Sequence, residues 1–238
     1  GIYLEPDEKF GYASINALSK ALFDLSYKDK VYNISHLNTK TYIAVQAHIF
    51  YQEMIEEIVN KTNNIPVKFD LFITTDSNQK IEFVKNYIKK YSQAQNYFIK
   101  LVQNKGRDLL PFLEQIGEVL DDYKYICHIH SQKEYFRFGI SWTNFLLSNL
   151  LGSKELVSEI LNDFEGYEQL GIVFPEPHSD LNDINEISDY SLHLKSIMRS
   201  NMNFIVNKMI QGYQIENDME FPEANMFWAK IKAIYQIF

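Results

Sequence analysis

From Thr41 onward, apolar residues fall into two alternating rhythms: short β-prone runs, and longer stretches with helical spacing. Residues 42–47 read as a buried strand that ends at His48. Residues 50–60 follow as an amphipathic helix with Met54, Ile55, Ile58 and Val59 on one face, stopped by Asn63-Asn64-Ile65-Pro66. A second strand over 69–74 breaks into Thr75-Asp76-Ser77, and a helix over 78–91 carries the stripe Ile81, Val84, Ile88 and Tyr91. A third strand over 97–102 leads through Asn104-Lys105-Gly106-Arg107-Asp108 into a helix from 109 to about 120. Residues 125–129 form the fourth strand. Helices over 142–151 and 154–164 follow, parted by Gly152-Ser153 with Ser153 as N-cap. Then come a short strand over 170–174, an acidic polar loop over 179–190, a long helix over 192–210, an aromatic strand over 226–229 and a helix from 231.

Strands alternating with helices of this length predict right-handed βαβ crossovers and a mostly parallel, doubly wound α/β sheet with a more helical C-terminal half. The pattern assigns residues 41–238 to one domain. Residues 1–40, with helical spacing only at Ile15, Leu18, Leu22 and Leu25, read as a peripheral segment, either the tail of a preceding domain or a packing arm. Neither a Gly-x-Gly-x-x-Gly fingerprint nor a P-loop is present, which weighs against an ordinary NAD-binding or ATP-hydrolysing domain.

Each strand ends in polar residues, and in a parallel sheet those ends meet at one edge. That edge gathers carboxylates at Asp76 and Asp108, cations at Lys105, Arg107 and Lys133, and imidazoles at His48, His128, His130 and His178. The mix suits an anionic, hydroxyl-rich ligand, with cations for a diphosphate and carboxylates for sugar hydroxyls. Period-2 geometry puts His128 and His130 on one face of their strand and Cys127 on the other, which argues against Cys127 as a nucleophile. Plainer readings stand beside these. Asp76 can be a helix cap, Arg107 and Asp108 a surface ion pair, and Asn104-Lys105-Gly106 a turn with glycine at positive φ. The two histidines are an incomplete metal set, because zinc normally takes at least three protein ligands. No Gly-x-Ser-x-Gly elbow supports a serine hydrolase.

Composition narrows the class further. The chain of 238 residues has a net charge of −8, which disfavours a broad nucleic-acid-binding face but leaves room for a local basic pocket. Its single cysteine excludes an internal disulfide framework and fits a reducing, cytoplasmic setting. No window approaches the roughly 20 apolar residues that a bilayer span requires, and the start resembles no signal peptide. A start without methionine suggests a piece of a longer protein.

The run Asn104-Lys105-Gly106-Arg107-Asp108-Leu109-Leu110-Pro111-Phe112-Leu113 resembles the Asn-x-Gly-Arg-Asp-x-x-Pro-Phe-Leu signature of the rhamnan synthesis protein F family. Cys127-His128-Ile129-His130-Ser131-Gln132-Lys133 is similar to that family's His-containing segment. Ala47-His48-Ile49-Phe50-Tyr51, Asp70-Leu71-Phe72-Ile73-Thr74-Thr75, Leu170-Gly171-Ile172-Val173-Phe174-Pro175 and Met226-Phe227-Trp228-Ala229 match in family order. The resemblance implies a GT-A-like glycosyltransferase that moves a deoxyhexose such as rhamnose from a nucleotide-diphosphate donor, dTDP-rhamnose or similar, to a growing cell-surface glycan. Such a protein would be cytoplasmic, or peripheral at the inner membrane face through other domains.

On this reading His48, Asp76, Asn104, Gly106, Arg107, Asp108, His128, His130 and Lys133 line the donor site, and Glu223 with His130 carries the catalysis. No residue is assigned to a metal, and the need for a divalent ion stays open. His128-Ile129-His130 stands where many such enzymes have a metal-binding Asp-x-Asp. Two departures mark this chain. Gln132-Lys133 replaces the family's Lys-Lys, and Glu223-Ala224 replaces Ala-Gly before Asn225-Met226-Phe227-Trp228. The alternative reading is a non-catalytic glycan-binding or scaffolding domain, and a third is a metal-dependent phosphoesterase built on the histidines.

Overall fold

The structure, a computed structural model, describes residues 37, 40–103, 105, 107–133, 142–175 and 225–235, all within one compact unit. Its centre is a six-stranded sheet made of β1 (Ile43–His48), β2 (Phe69–Thr75), β3 (Asn96–Leu101), β4 (Tyr125–His130), β5 (Ile172–Val173) and β6 (Phe227–Lys230). The helices described are α1 (Ile55–Thr62), α2 (Asn78–Tyr91), α3 (Leu109–Ile116), α4 (Trp142–Leu151), α5 (Lys154–Gly166) and α6 (Ile231–Ile234). The strand order is β3-β2-β1-β4-β6-β5. The first four strands run parallel, and β6 runs antiparallel to both β4 and β5.

The order of crossovers decides where a ligand fits. From β1 the chain steps to β2 and β3 in one direction, then returns through α3 to place β4 on the other side of β1. Because crossovers are right-handed, that reversal moves α3 to the opposite face from α1 and α2. The carboxyl ends of β1 and β4 therefore flank the point where strand order reverses, the usual crevice of an open α/β sheet.

The two faces are closed differently. On one, α1, α4 and α5 pack over wholly buried strands. Lys61 Nζ donates to Ser148 Oγ at 2.7 Å between α1 and α4, and the Tyr125 ring stacks on Phe164 at 5.3 Å. Trp228 is fully buried and donates from Nε1 to the Leu150 carbonyl at 3.0 Å, so its indole is core and not a platform for a sugar ring. Cys127 faces this side and is fully buried, and burial pushes its thiol pKa up, away from nucleophilic use. On the other face, α3 lays Phe112 and Ile116 over Ala44, Phe72, Ile126 and Phe227.

Most bounds match the pattern in the sequence, and the differences have local causes. A 3-10 turn over Gln52–Met54 precedes α1, so the regular helix begins at Ile55. α3 stops at Ile116, where the Gly117 amide closes on the Leu113 carbonyl, well short of 120. β5 keeps two residues of the five expected. Ser77 and Ser153 cap α2 and α5, accepting from the Lys80 and Leu156 amides. Asp76 is thus displaced as cap. Gly152 ends α4 where a Cβ would lie 2.2 Å from the Ser148 carbonyl oxygen, so only glycine fits that approach. The helices expected over 12–25 and 192–210, and Asn104, Gly106, His178 and Glu223, lie outside the described residues.

Candidate functional site

At the carboxyl ends of β1, β2 and β4, parallel register sets His48 beside Thr74 on one side and His130 on the other. Two residues back, Gln46 stands beside His128. All five side chains emerge on the α3 face, since residues i and i+2 share a face. Asp108, the residue before α3, reaches the same place from the other direction. Its Oδ2 lies 3.5 Å from His128 Nε2 and 4.0 Å from His130 Nε2. Thus a carboxylate and three imidazoles, from three segments far apart in sequence, meet at the switch point.

How Asp108 gets there is informative. An aspartate immediately before a helix usually caps it, but the Asp108 side chain makes no capping bond. It is 7% exposed, and Asn225 Nδ2 donates to its Oδ2 at 3.2 Å. The two described non-glycine residues at positive φ are Arg107 (53°) and Asn225 (56°). One precedes Asp108 and the other bonds it. Left-handed backbone costs roughly 1–2 kcal/mol for a residue such as arginine, so the fold spends conformational energy on aiming this carboxylate. A surface ion pair of Arg107 with Asp108 is not what forms. Arg107 is exposed, and Asp108 turns inward to the histidines.

A hydrogen-bond chain runs beneath the cluster. Gln115 of α3 donates from Nε2 to the Ile73 carbonyl at 3.1 Å. Its Oε1 accepts from Gln46 Nε2 at 3.3 Å, which also donates to Thr74 Oγ1 at 3.1 Å. Gln46 Oε1 lies 2.7 Å from His128 Nδ1. His48 Nδ1 lies 2.9 Å from Thr74 Oγ1. His128 Nε2 has no hydrogen-bond partner among the described residues.

Burial governs the charges. It lowers the His48 pKa to about 4, and the neighbouring His130 adds to the effect, so this imidazole is neutral at pH 7. Burial also lowers the pKa of His128, outweighing the opposing pull of Asp108. For Asp108, burial alone would raise the pKa, but His128 and His130 in their charged forms outweigh it and hold the carboxyl below its usual range. At neutral pH the cluster holds an ionised carboxylate beside two neutral imidazoles, those of His48 and His128.

The remaining sequence candidates stand around it. Asp76 ion-pairs with Lys80 at 2.6 Å, and Lys80 also donates to the Phe50 carbonyl. Lys133 pairs with Glu53 and lies over the Tyr51 ring at 4.8 Å. Ser131 Oγ accepts from the Phe50 and Tyr51 amides at 2.9 Å each, tying the β4 exit to the β1 exit. The structure therefore gathers His48, Asp108, His128 and His130. It sets Asp76 and Lys133 in ion pairs and leaves Arg107 exposed. Among the described residues no group of three or more His, Cys, Asp or Glu side chains is arranged to hold a metal ion.

Sequence reasoning missed Gln46 and Gln115. A glutamine inside the apolar run Ala44-Val45-Gln46-Ala47 is a signal that could have found the first, because a buried polar side chain needs a partner. Gln115 sits one turn past Phe112 on the apolar side of α3, beside Ile116.

Comparison with known proteins bears on this arrangement. The chain is 25% identical to an uncharacterized protein, WxcX, in each of two strains of Xanthomonas campestris pv. campestris, over 98% of this chain. The chain spans 31% of the length of those relatives. No solved structure matches it. No helix among the described residues is long and apolar enough to cross a membrane. The sequence profile of the family described as rhamnan synthesis protein F matches residues 14–238, so the chain belongs to that family, whose description places it in rhamnan synthesis.

Proposed function

We propose that this chain is a GT-A-like glycosyltransferase domain acting in rhamnan synthesis. It moves a deoxyhexose such as rhamnose from a nucleotide-diphosphate donor, dTDP-rhamnose or similar, to a growing cell-surface glycan. The observation that carries the reading is the convergence of Asp108, His128, His130 and His48 at the switch point of the sheet, where an open α/β fold takes its ligand. Family membership supplies the rhamnan context.

The chemistry follows from the charges. Transfer to a hydroxyl with inversion requires a base for the acceptor proton. Asp108 is the carboxylate that the described residues bring to the cluster, buried, ionised and held by Asn225. We assign it the base role for which Glu223, outside the described residues, was the candidate in the sequence. Neutral His48, together with His130, offers ring nitrogens to sugar or nucleoside hydroxyls. Arg107, exposed beside the site, is the cation nearest in sequence to Asp108 and is free in position to meet a diphosphate. His128, with no exposed surface, acts from behind. On this reading the protein acts in the cytoplasm, or peripherally at the inner membrane face through other domains.

Incubating the protein with a panel of nucleotide sugars and a rhamnan oligosaccharide, and following nucleoside diphosphate release, tests this. Release that depends on the acceptor is expected. Neither release nor nucleotide affinity would leave the non-catalytic glycan-binding reading in its place.

A further inference from the structure

The hydrogen-bond chain beneath the cluster determines more than packing. Two backbone carbonyls fix the orientation of Gln115. Its Nε2 points at the Ile73 carbonyl at 3.1 Å and the Phe98 carbonyl at 3.4 Å, and an amide oxygen there would meet only acceptors. The other end of the Gln115 amide, Oε1, must therefore face Gln46, and the Gln46 atom that meets it must be the Nε2 donor. That leaves Gln46 Oε1, an acceptor only, 2.7 Å from His128 Nδ1. The hydrogen in that contact belongs to Nδ1. In neutral His128, Nε2 then bears a lone pair, and this atom is fully buried, without a hydrogen-bond partner, and 3.5 Å from Asp108 Oδ2.

Two acceptors facing each other at that distance repel, and the gap is too narrow for a bridging water, which needs hydrogen-bond length on both sides. One proton placed between them turns repulsion into a charge-assisted contact. We propose that Gln115 and Gln46 are positioning residues that lock His128 as its Nδ1–H tautomer, and that His128 and Asp108 together, not Asp108 alone, hold the proton released by the acceptor hydroxyl. This rests on the glycosyltransferase reading and deepens it. In the transfer step the acceptor O–H bond breaks as its oxygen bonds the anomeric carbon. The bond from that carbon to the diphosphate breaks, and its electron pair leaves with the diphosphate. The proton passes to the Asp108 carboxylate and comes to rest between Oδ2 and His128 Nε2, giving imidazolium beside carboxylate. The other groups around His128 are Phe112 of α3, Phe227 of β6 and the rings of His130 and His48, while Asp76 is neutralised by Lys80.

The test begins with the 238-residue chain, its six histidines labelled with 15N. The His128 signal is assigned by its loss in His128→Asn or, if that variant does not fold, by elimination through the other five single-histidine variants. The expected result is a protonated Nδ1 and a bare Nε2 above the titration of the pair. Gln46→Glu puts a carboxylate against Nδ1–H and should raise the His128 midpoint by about 1–3 pH units, whereas Gln115→Leu should yield a mixture of tautomers. An Nε2–H tautomer in the wild type, or an unmoved midpoint in Gln46→Glu, overturns the lock. In the transferase assay the acid limb of kcat should shift upward with that midpoint while the donor KM stays constant, an effect that loss of packing alone would not produce. A moved midpoint with an unmoved limb overturns the proton-holding role. Absence of turnover in the wild type instead overturns the glycosyltransferase reading and that role with it, and the NMR arm still decides the tautomer.

Discussion

The two faces of β1, β2 and β4 have opposite chemistry. Against α1, α4 and α5 the strands present Ile43, Val45, Ala47, Leu71, Ile73, Tyr125, Cys127 and Ile129, all buried, and their few polar atoms end on neighbouring groups. Against α3 the strands carry Ala44, Phe72 and Ile126, with the buried Asp70 at the start of β2, and toward their carboxyl ends they turn polar with Gln46, His48, Thr74, His128 and His130. Burial is the same on both sides. What differs is that the polar face offers each side chain a partner in register, so glutamine and threonine continue the network that an apolar residue would interrupt. Stability is concentrated on the first face and chemistry on the second.

The largest expected effect tests the apolar face. Trp228→Ala should cost about 3–5 kcal/mol, since it empties a large buried volume and orphans the Leu150 carbonyl. Chemical denaturation would measure it, and a loss below 1 kcal/mol would mean that this face is not the main store of stability. Asp108→Asn should have the reverse profile, lowering kcat by roughly 10²–10⁴-fold, the usual worth of a general base, with a folded far-UV spectrum. Equal loss of folding and activity would erase the distinction between the faces.

Acid should unfold the polar face first. The folded pKa of His48, about 4, lies below its unfolded value of 6.5, so the unfolded chain binds the extra proton between them. The stability contributed by neutral His48 is present above pH 6.5 and is lost as pH falls toward 4, with a slope of up to about 1.4 kcal/mol per pH unit. His128, also lowered, adds in the same direction. Asp108, depressed below the usual carboxylate range, loses its contribution only at still lower pH. In His48→Gln the slope of stability against pH over this window should flatten. Gln46→Leu should cost about 1–3 kcal/mol by leaving the hydrogen-bonding groups of Gln115 and His128 unsatisfied. The smallest change concerns a partly exposed pair beside the apolar face. Lys124→Ala removes a contact to Glu165 from a lysine that is 46% exposed and should cost no more than about 1 kcal/mol.

Much of the frame was legible because it depends on local periodicity. α2 and α4 begin and end where apolar spacing placed them, and the strand order of events along the chain is as read. The shared face of His128 and His130, and the opposite face of Cys127, follow from strand geometry alone. The end of α3 was misplaced by four residues because Gly117 and the turn after it interrupt a stripe that continues to Leu120. The site was legible only in part. Its residues were marked as polar strand ends, but the burial that sets their protonation was not visible in the pattern. The sequence placed Arg107, His128, His130 and Lys133 together in a donor site, with Arg107 and Lys133 as cations for its diphosphate. Burial holds His128 neutral, and Glu53 takes Lys133.

The sequence by itself determined the alternation of strands and helices, the side of the sheet each strand residue faces, and through its motifs the family. Those depend on spacing and side-chain type, which the chain carries locally. The tertiary structure decided what meets what. Asp108 abandons the helix cap for the histidines because Arg107 and Asn225 adopt left-handed backbone on either side of it in space. His128 takes its tautomer from Gln115, an orientation set by the carbonyls of two other strands. Hydrogen bonds between residues tens of positions apart have no signature in local periodicity, and desolvation, which sets the protonation of this cluster, exists only once the sheet and α3 have closed over it.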